Sequence, residues 1–389
     1  MGRQPALNAP VLVLGPVEPP IGGVSRYCRS VTELLRREGT GAVQLDPGRP
    51  GSTDSEFLAR ALTWPVRRAL GASTFPVLRA VRKHKARLVL DNRQVLWRDP
   101  AEARGLRMCV RVPYALAIHD GAFPGFVEAL GERRRRGLSR ALEGLSGALC
   151  MSDAIVEGVL RTAPRARARR LSPLLEAPGG PGARLPRDLE AFFGMPGPVI
   201  SASGALHPQY GFEELLAAFA ELRKRGRPLR VMILIGSFAE EPSTRAALAE
   251  ARARFGDGAI LVLTDFPDGA AVIARSQVYV RPSRIDSFGM ALHEALLSGV
   301  PVVASEHPTR PEGVVTYRPG DVGALARAIE AALVPAARSA AAERAPRLRE
   351  MVERNGRETL EVLRALVGHS PSAPAGIRGR AGFDRAGGR

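Results

Sequence analysis

Short apolar runs alternate with helix-period stretches along almost the whole chain, stop, and then begin again. A pattern that switches between strand and helix periods marks βαβ units, in which crossover helices join parallel strands. In the first half, runs at 11–15, 41–46, 87–91, 114–119 and 147–152 read as strands, and 24–37, 56–70, 126–136 and 154–161 as helices. The pattern breaks over 176–198, where Ala-Pro-Gly-Gly-Pro-Gly and Met-Pro-Gly-Pro punctuate the chain as a linker would. It restarts with strands at 199–204, 229–236, 259–264, 278–282 and 300–305, and helices at 212–225, 243–255, 269–276, 290–298 and 322–333. The expected fold class is therefore α/β, as two domains of one architecture without a visible sequence repeat. A length of 389 residues suits two cores of about 150–200 residues each.

The division expected from the pattern is 1–190 and 191–345, followed by a helix over 346–368 and a tail over 369–389. Residues 336–367 are rich in Ala, Arg, Glu and Leu, all of good helix propensity. The tail is Gly, Pro, Ser and Arg with little to bury, a composition that predicts disorder. No apolar run approaches the roughly 18 residues that span a bilayer. The first apolar run ends in Gly15-Pro16 and lacks a small-x-small cleavage site, so a cytoplasmic location is expected. Cys28, Cys109 and Cys150 are scattered and odd in number, which fits core packing better than disulfides or a metal cluster. Lys and Arg total 56 against 39 Asp and Glu, a net +17 that favours anionic partners without choosing among them. Aromatics make up only 5%, too few for the base-stacking arrays of single-stranded nucleic-acid binders, so nucleic acid is not an expected partner.

Chemistry concentrates in the segment from Arg281 to Ser305. A buried strand ends at Pro282, a loop carries Asp286, and a helix opens around Phe288, Gly289 and Met290. The free amides of a helix start favour an anion, and ligands of open α/β sheets bind beyond the strand ends. Met290 and Glu294 are one turn apart, so Glu294 faces back toward that crevice. Asp286 and Glu294 are thus placed to accept hydrogen bonds from hydroxyls at two ends of one ligand, with phosphates between them.

An acidic residue, seven residues, then Glu-Ala-x-x-x-Gly-apolar-Pro resembles the donor-site signature of the retaining glycosyltransferases of family 4. That resemblance implies the GT-B fold, in which two Rossmann-like domains face a central cleft. It also implies a nucleotide-sugar donor, with Asp286 at the transferred sugar, the Phe288 and Gly289 amides beside it, and Glu294 on the ribose. Asp stands where the family usually has Glu. Gly22-Gly23, after the first strand, resembles the family's phosphate-approach turn, and His119, at a strand end before Asp120-Gly121, resembles its active-site histidine. Asp120 either orients that ring or caps the next turn. The segment 201–211 corresponds to the family's Gly-Arg-…-Lys-Gly, but Ala205 and Tyr210 occupy the Arg and Lys positions. Arg281, Arg284 and Arg310 are the expected substitutes at the diphosphate.

The resemblance further implies transfer with retention to a glycan or lipid-linked acceptor, in cell-surface polysaccharide synthesis. No metal or other cofactor is expected, and a long C-terminal helix should cross back to the first domain. A sugar-nucleotide 2-epimerase, which shares the fold, and a non-catalytic binding subunit remain open alternatives. Basic runs at 79–87, 133–136 and 161–170 read either as solvated faces or, with Trp64-Pro-Val-Arg-Arg68, as a docking face for an anionic membrane.

Overall fold

The computed structural model describes residues 10–19, 21–47, 73–93, 102, 105–106, 109–175, 184–236, 240–286 and 288–368. The expected helix at 56–70, Trp64 and its neighbours, and the tail at 369–389 lie outside the described residues.

The first sheet comprises β1 (Val11–Leu14), β2 (Ala42–Leu45), β3 (Leu88–Asp91), β4 (Tyr114–Ile118), β5 (Gly147–Cys150) and β6 (Ala168–Arg170). All its pairings are parallel, in the order β2-β1-β3-β4-β5-β6. Its helices are α1 (Gly23–Arg37), α2 (Thr74–Lys83), α3 (Phe123–Glu128), α4 (Glu132–Glu143) and α5 (Asp153–Thr162). The central strands are buried along their whole length, as expected of parallel strands covered on both faces.

α6 (Arg187–Gly194) leads into the second sheet: β7 (Val199–Gly204), β8 (Arg230–Ile235), β9 (Ile260–Thr264), β10 (Val278–Arg281), β11 (Val302–Ser305) and β12 (Val315–Tyr317). Its order is β12-β11-β10-β7-β8-β9, again all parallel. The covering helices are α7 (Phe212–Lys224), α8 (Pro242–Phe255), α9 (Gly269–Arg275), α10 (Met290–Leu297) and α11 (Val322–Ala332). α12 (Pro335–Gly368) is the last described element and has Pro346 inside it.

Three local expectations are corrected. The helix expected over 126–136 is two helices, because Gly131 is extended (φ −64°, ψ 153°) and caps α4, whose Leu138 and Leu142 pack into the core. The described part of the expected linker carries α6, with Leu189 and Phe192 buried in the second domain. Arg230 fastens it by lying over the Phe192 ring and donating to the Met195 and Gly197 carbonyls at 2.6 Å each. The helix α2 and the short strands β6 and β12 were not expected at all.

α12 belongs to both domains. Ala341 and Ala345 are buried and Leu348 packs on the second-domain core, while Leu360, Val362, Leu363 and Leu366 are part of the first-domain core. No described helix is long and apolar enough to cross a membrane.

Candidate active site

In each sheet the strand order reverses direction at one place, between β1 and β3 in the first and between β7 and β10 in the second. Crossovers leave opposite faces there, so the carboxyl ends of those strands open a crevice. The two crevices share one cleft of about 1130 Å³, lined by Pro16 and Asn92 from one side and by Ser203 and Arg281 from the other.

On the second-domain side, Asp286 is buried between two guanidiniums. Arg281 donates from Nε to Oδ2 at 3.1 Å and from Nη2 to Oδ1 at 3.2 Å, and Arg310 donates from Nη1 to Oδ2 at 2.8 Å. Burial pushes the Asp286 carboxyl upward, but the Arg281 and Arg310 charges outweigh it and hold it well below the usual carboxylate range. Each arginine is anchored in turn: Arg281 to the Ser203 carbonyl and over the Tyr210 ring, Arg310 to Ser305 through its carbonyl and hydroxyl. Two cations against one carboxylate leave this corner net positive.

Gly289 caps α10 in the left-handed region (φ 72°), and a Cβ there would come within 3.1 Å of Asp286 Oδ2. The glycine thus lets the helix start directly above the carboxylate. Met290 and Ala291, in the first turn of α10, line the cleft. Phe288 stacks on His293 at 4.0 Å with the rings 5° apart. Burial lowers the His293 pKa to about 4, so this ring is neutral near pH 7. One turn on, Glu294 is buried and faces the cleft.

On the first-domain side, Gly22 and Gly23 open α1. Gly22 is extended (φ −157°), and a Cβ at Gly23 would meet only the Met290 sulfur at 3.9 Å. Neither backbone strain nor crowding demands glycine at Gly23, so what it contributes is bare backbone at the cleft wall. Arg26, one turn further, crosses the gap and donates from Nη1 to both Glu294 oxygens, at 2.9 and 2.8 Å. The Ile21 amide makes a second crossing to Asp265 Oδ1 at 2.9 Å.

His119 sits at the end of β4, edge-on to the buried Tyr27 ring at 4.6 Å. Its Nε2 lies 3.0 Å from Asn92 Oδ1. The Asn92 amide nitrogen donates to the Leu14 and Leu90 carbonyls, which turns the oxygen toward His119 and assigns the proton to Nε2. Burial lowers the His119 pKa to about 4, so the imidazole is neutral near pH 7, with Nδ1 as an acceptor. Asp120 caps the following turn through the Ala122 amide, whereas Asn92 orients the ring. Deeper in, Arg93 joins Asp91 and Glu102 in a buried network, and the Tyr114 hydroxyl donates to Asp91.

Of the residues singled out from sequence, His119, Asp286, Gly22, Gly23, Arg281, Phe288, Gly289, Met290 and Glu294 all line the cleft. Arg284 does not: its side chain is 55% exposed and turns away to Glu214, with 2.9 Å from Nη2 to Oε1. Arg310 stands behind Asp286 rather than at the cleft wall. Sequence reading missed Asn92 and Arg26. A strand-end position at the switch point marks the first, and a place one turn after Gly22-Gly23 marks the second. Among the described residues, no group of three or more His, Cys, Asp or Glu side chains is arranged to hold a metal.

Two parallel six-stranded sheets with interleaved helices, meeting across a cleft at their switch points, define the GT-B fold. Within it, residues 197–334 match the family model for glycosyl transferases of group 1. A stretch of 118 residues is 32% identical to D-inositol 3-phosphate glycosyltransferase of Jonesia denitrificans; it makes up 28% of this chain and spans 27% of that protein. The whole fold is similar to that of Anabaena HepE in complex with UDP-glucose, with a TM-score of 0.68, 16% identity, and coverage of 92% of this chain and 100% of that one. A glycosyltransferase of Rickettsia africae gives 0.65 at 14% identity, covering 93% and 100%. A UDP-forming trehalose-phosphate synthase of Burkholderia xenovorans gives 0.64 at 16%, covering 94% and 100%.

Proposed function

We propose that this chain transfers a sugar, with retention of anomeric configuration, from a nucleoside-diphosphate sugar to a glycan or lipid-linked acceptor, in the manner of family 4 enzymes of cell-surface polysaccharide synthesis. One observation carries the reading: Asp286 and Glu294 both reach a cleft that also holds Arg26, Arg281 and the first residues of α1 and α10. Glu294 accepts from the ribose hydroxyls. Asp286 holds Arg281 toward the diphosphate and takes a sugar hydroxyl, while the Phe288 and Gly289 backbone borders the sugar. A neutral His119 hydrogen-bonds the transferred sugar without acting as an acid. Departure of the diphosphate is then an electrostatic matter, met by the α10 amides and Arg281, with no metal required. The HepE complex named above contains UDP-glucose, which makes uridine the first donor to try.

The acceptor enters from the first domain. Exposed arginines 133–136 on α4 suit an anionic membrane face and so a lipid-linked acceptor on the inner leaflet. Ala205 and Tyr210 favour a second reading, a non-catalytic subunit that binds the nucleotide without turnover.

A thermal-shift screen with UDP, GDP and ADP tests the donor site, because a ligand bound only to the folded chain raises the melting temperature by mass action. A response to one base is expected. Turnover of the matching nucleotide sugar, with the product anomer read by NMR, then separates transferase from binding subunit. No response to any of the three sinks the donor-site reading.

A further inference from the structure

Three guanidiniums line the cleft among the described residues, those of Arg26, Arg93 and Arg281. Arg93 pairs with Asp91 and Glu102, and Arg281 with Asp286, each inside its own domain. Arg26 alone among them has its carboxylate in the other domain. Its side chain is 14% exposed and that of Glu294 3%, so the pair sits at the cleft wall rather than on open surface. Its Nη2 lies beside Gly269, 3.1 Å from where a Cβ would stand. The same arginine stands one turn along α1 from Gly22-Gly23, where helix-start backbone meets the cleft.

A diphosphate brings negative charge that needs cationic partners, and the chain has Ala205 and Tyr210 where the resembled family has Arg and Lys. We infer that Arg26 supplies the missing counter-charge from the first domain, and that Glu294 holds it in readiness until a nucleoside diphosphate arrives. This rests on the donor-site reading above and adds the residue that answers its weakest point. A carboxylate has about four lone-pair sites, so Glu294 can accept from ribose hydroxyls and keep a bond to Arg26. The remaining N–H groups of the guanidinium then face the phosphates beside the α1 backbone. Donor binding and contact between the domains become one event, since the cation comes from one side and the ribose acceptor from the other.

The test titrates UDP, GDP and ADP, each beside its parent nucleoside, into the full chain by calorimetry at low and high salt. Arg26→Ala is expected to weaken the preferred diphosphate about 10- to 100-fold, to change nucleoside affinity less than twofold, and to flatten the salt dependence. Arg26→Gln loses the charge while keeping a polar side chain on α1, so it should reproduce that loss even where alanine disturbs folding. Equal weakening of nucleoside and diphosphate would assign Arg26 to ribose positioning and overturn the inference. Tighter diphosphate binding would overturn it too, making Arg26 a competitor for Glu294. A wild-type chain that binds none of the three diphosphates removes the donor site itself, and the inference with it.

Discussion

Asp286 and Glu294 face the same cleft but are held in opposite ways. Asp286 takes both its arginines from its own domain, so its cluster is complete once the second domain has folded. Glu294 takes Arg26 from across the gap, so its ion pair exists only while the domains are together. The first arrangement is part of the core; the second reports on the relation between two bodies. Loss of the first should therefore appear as lost stability, and loss of the second mainly as altered contact between the domains.

Asp286→Ala is the severest way to test that contrast. It leaves Arg281 and Arg310 buried without their carboxylate, and breaking such a pair costs about 3–5 kcal/mol. Urea denaturation would read this, and a loss below about 1 kcal/mol would mean that the Ser203 and Ser305 carbonyls suffice for both cations.

Acid comes next. His293 has a folded pKa of about 4 against an ordinary 6.5, so the unfolded chain binds its proton first as pH falls. Its contribution is fully present above pH 6.5 and is lost on the way down to about pH 4, roughly 3–4 kcal/mol at about 1.4 kcal/mol per unit. Asp286 stays ionised through that window and does not contribute to acid weakening there, whereas His119 and His307, also lowered by burial, act in the same direction as His293. His293→Gln should flatten the curve of melting temperature against pH between 6.5 and 4.5, and an unchanged curve would clear His293 of any part in it.

Glu294→Gln keeps an amide oxygen to accept from Arg26 but removes the negative charge, and in a pair only 14% and 3% exposed this should cost about 1.5–3 kcal/mol. Its signature is faster amide exchange at the start of α1, with the Asp286 cluster still protected. Arg284→Ala completes the series with a change below about 1 kcal/mol and no change in nucleotide affinity. A weakened affinity would return Arg284 to the cleft.

The strand pattern was legible in the sequence because parallel strands covered on both faces must be apolar almost throughout, as Val11–Leu14 and Val278–Val280 are. β6 and β12 escaped because three-residue edge strands such as Ala-Arg-Arg carry no such signal. The 126–136 stretch kept a helical period across its break, so the break depended on one glycine. The spacing of Asp286 and Glu294 was readable because both sit on one local turn-and-helix unit. The partner of Glu294 was not, since Arg26 lies 268 positions away and no local pattern records a meeting across two domains. Arg281 and Arg284 look equivalent in a loop, but only the strand-end position aims its side chain inward.

The path of α12 bears on how the molecule is made. Gly147 on β5 leaves room for Leu366, whose Cδ2 would lie 3.0 Å from a Cβ there, and Leu363 is wholly enclosed in the amino-terminal core. Those leucines are translated more than two hundred residues after β1. A ribosome that has just released the first six strands has therefore delivered an unfinished domain, one whose hydrophobic wall is sealed only when the helix of the 360s leaves the exit tunnel.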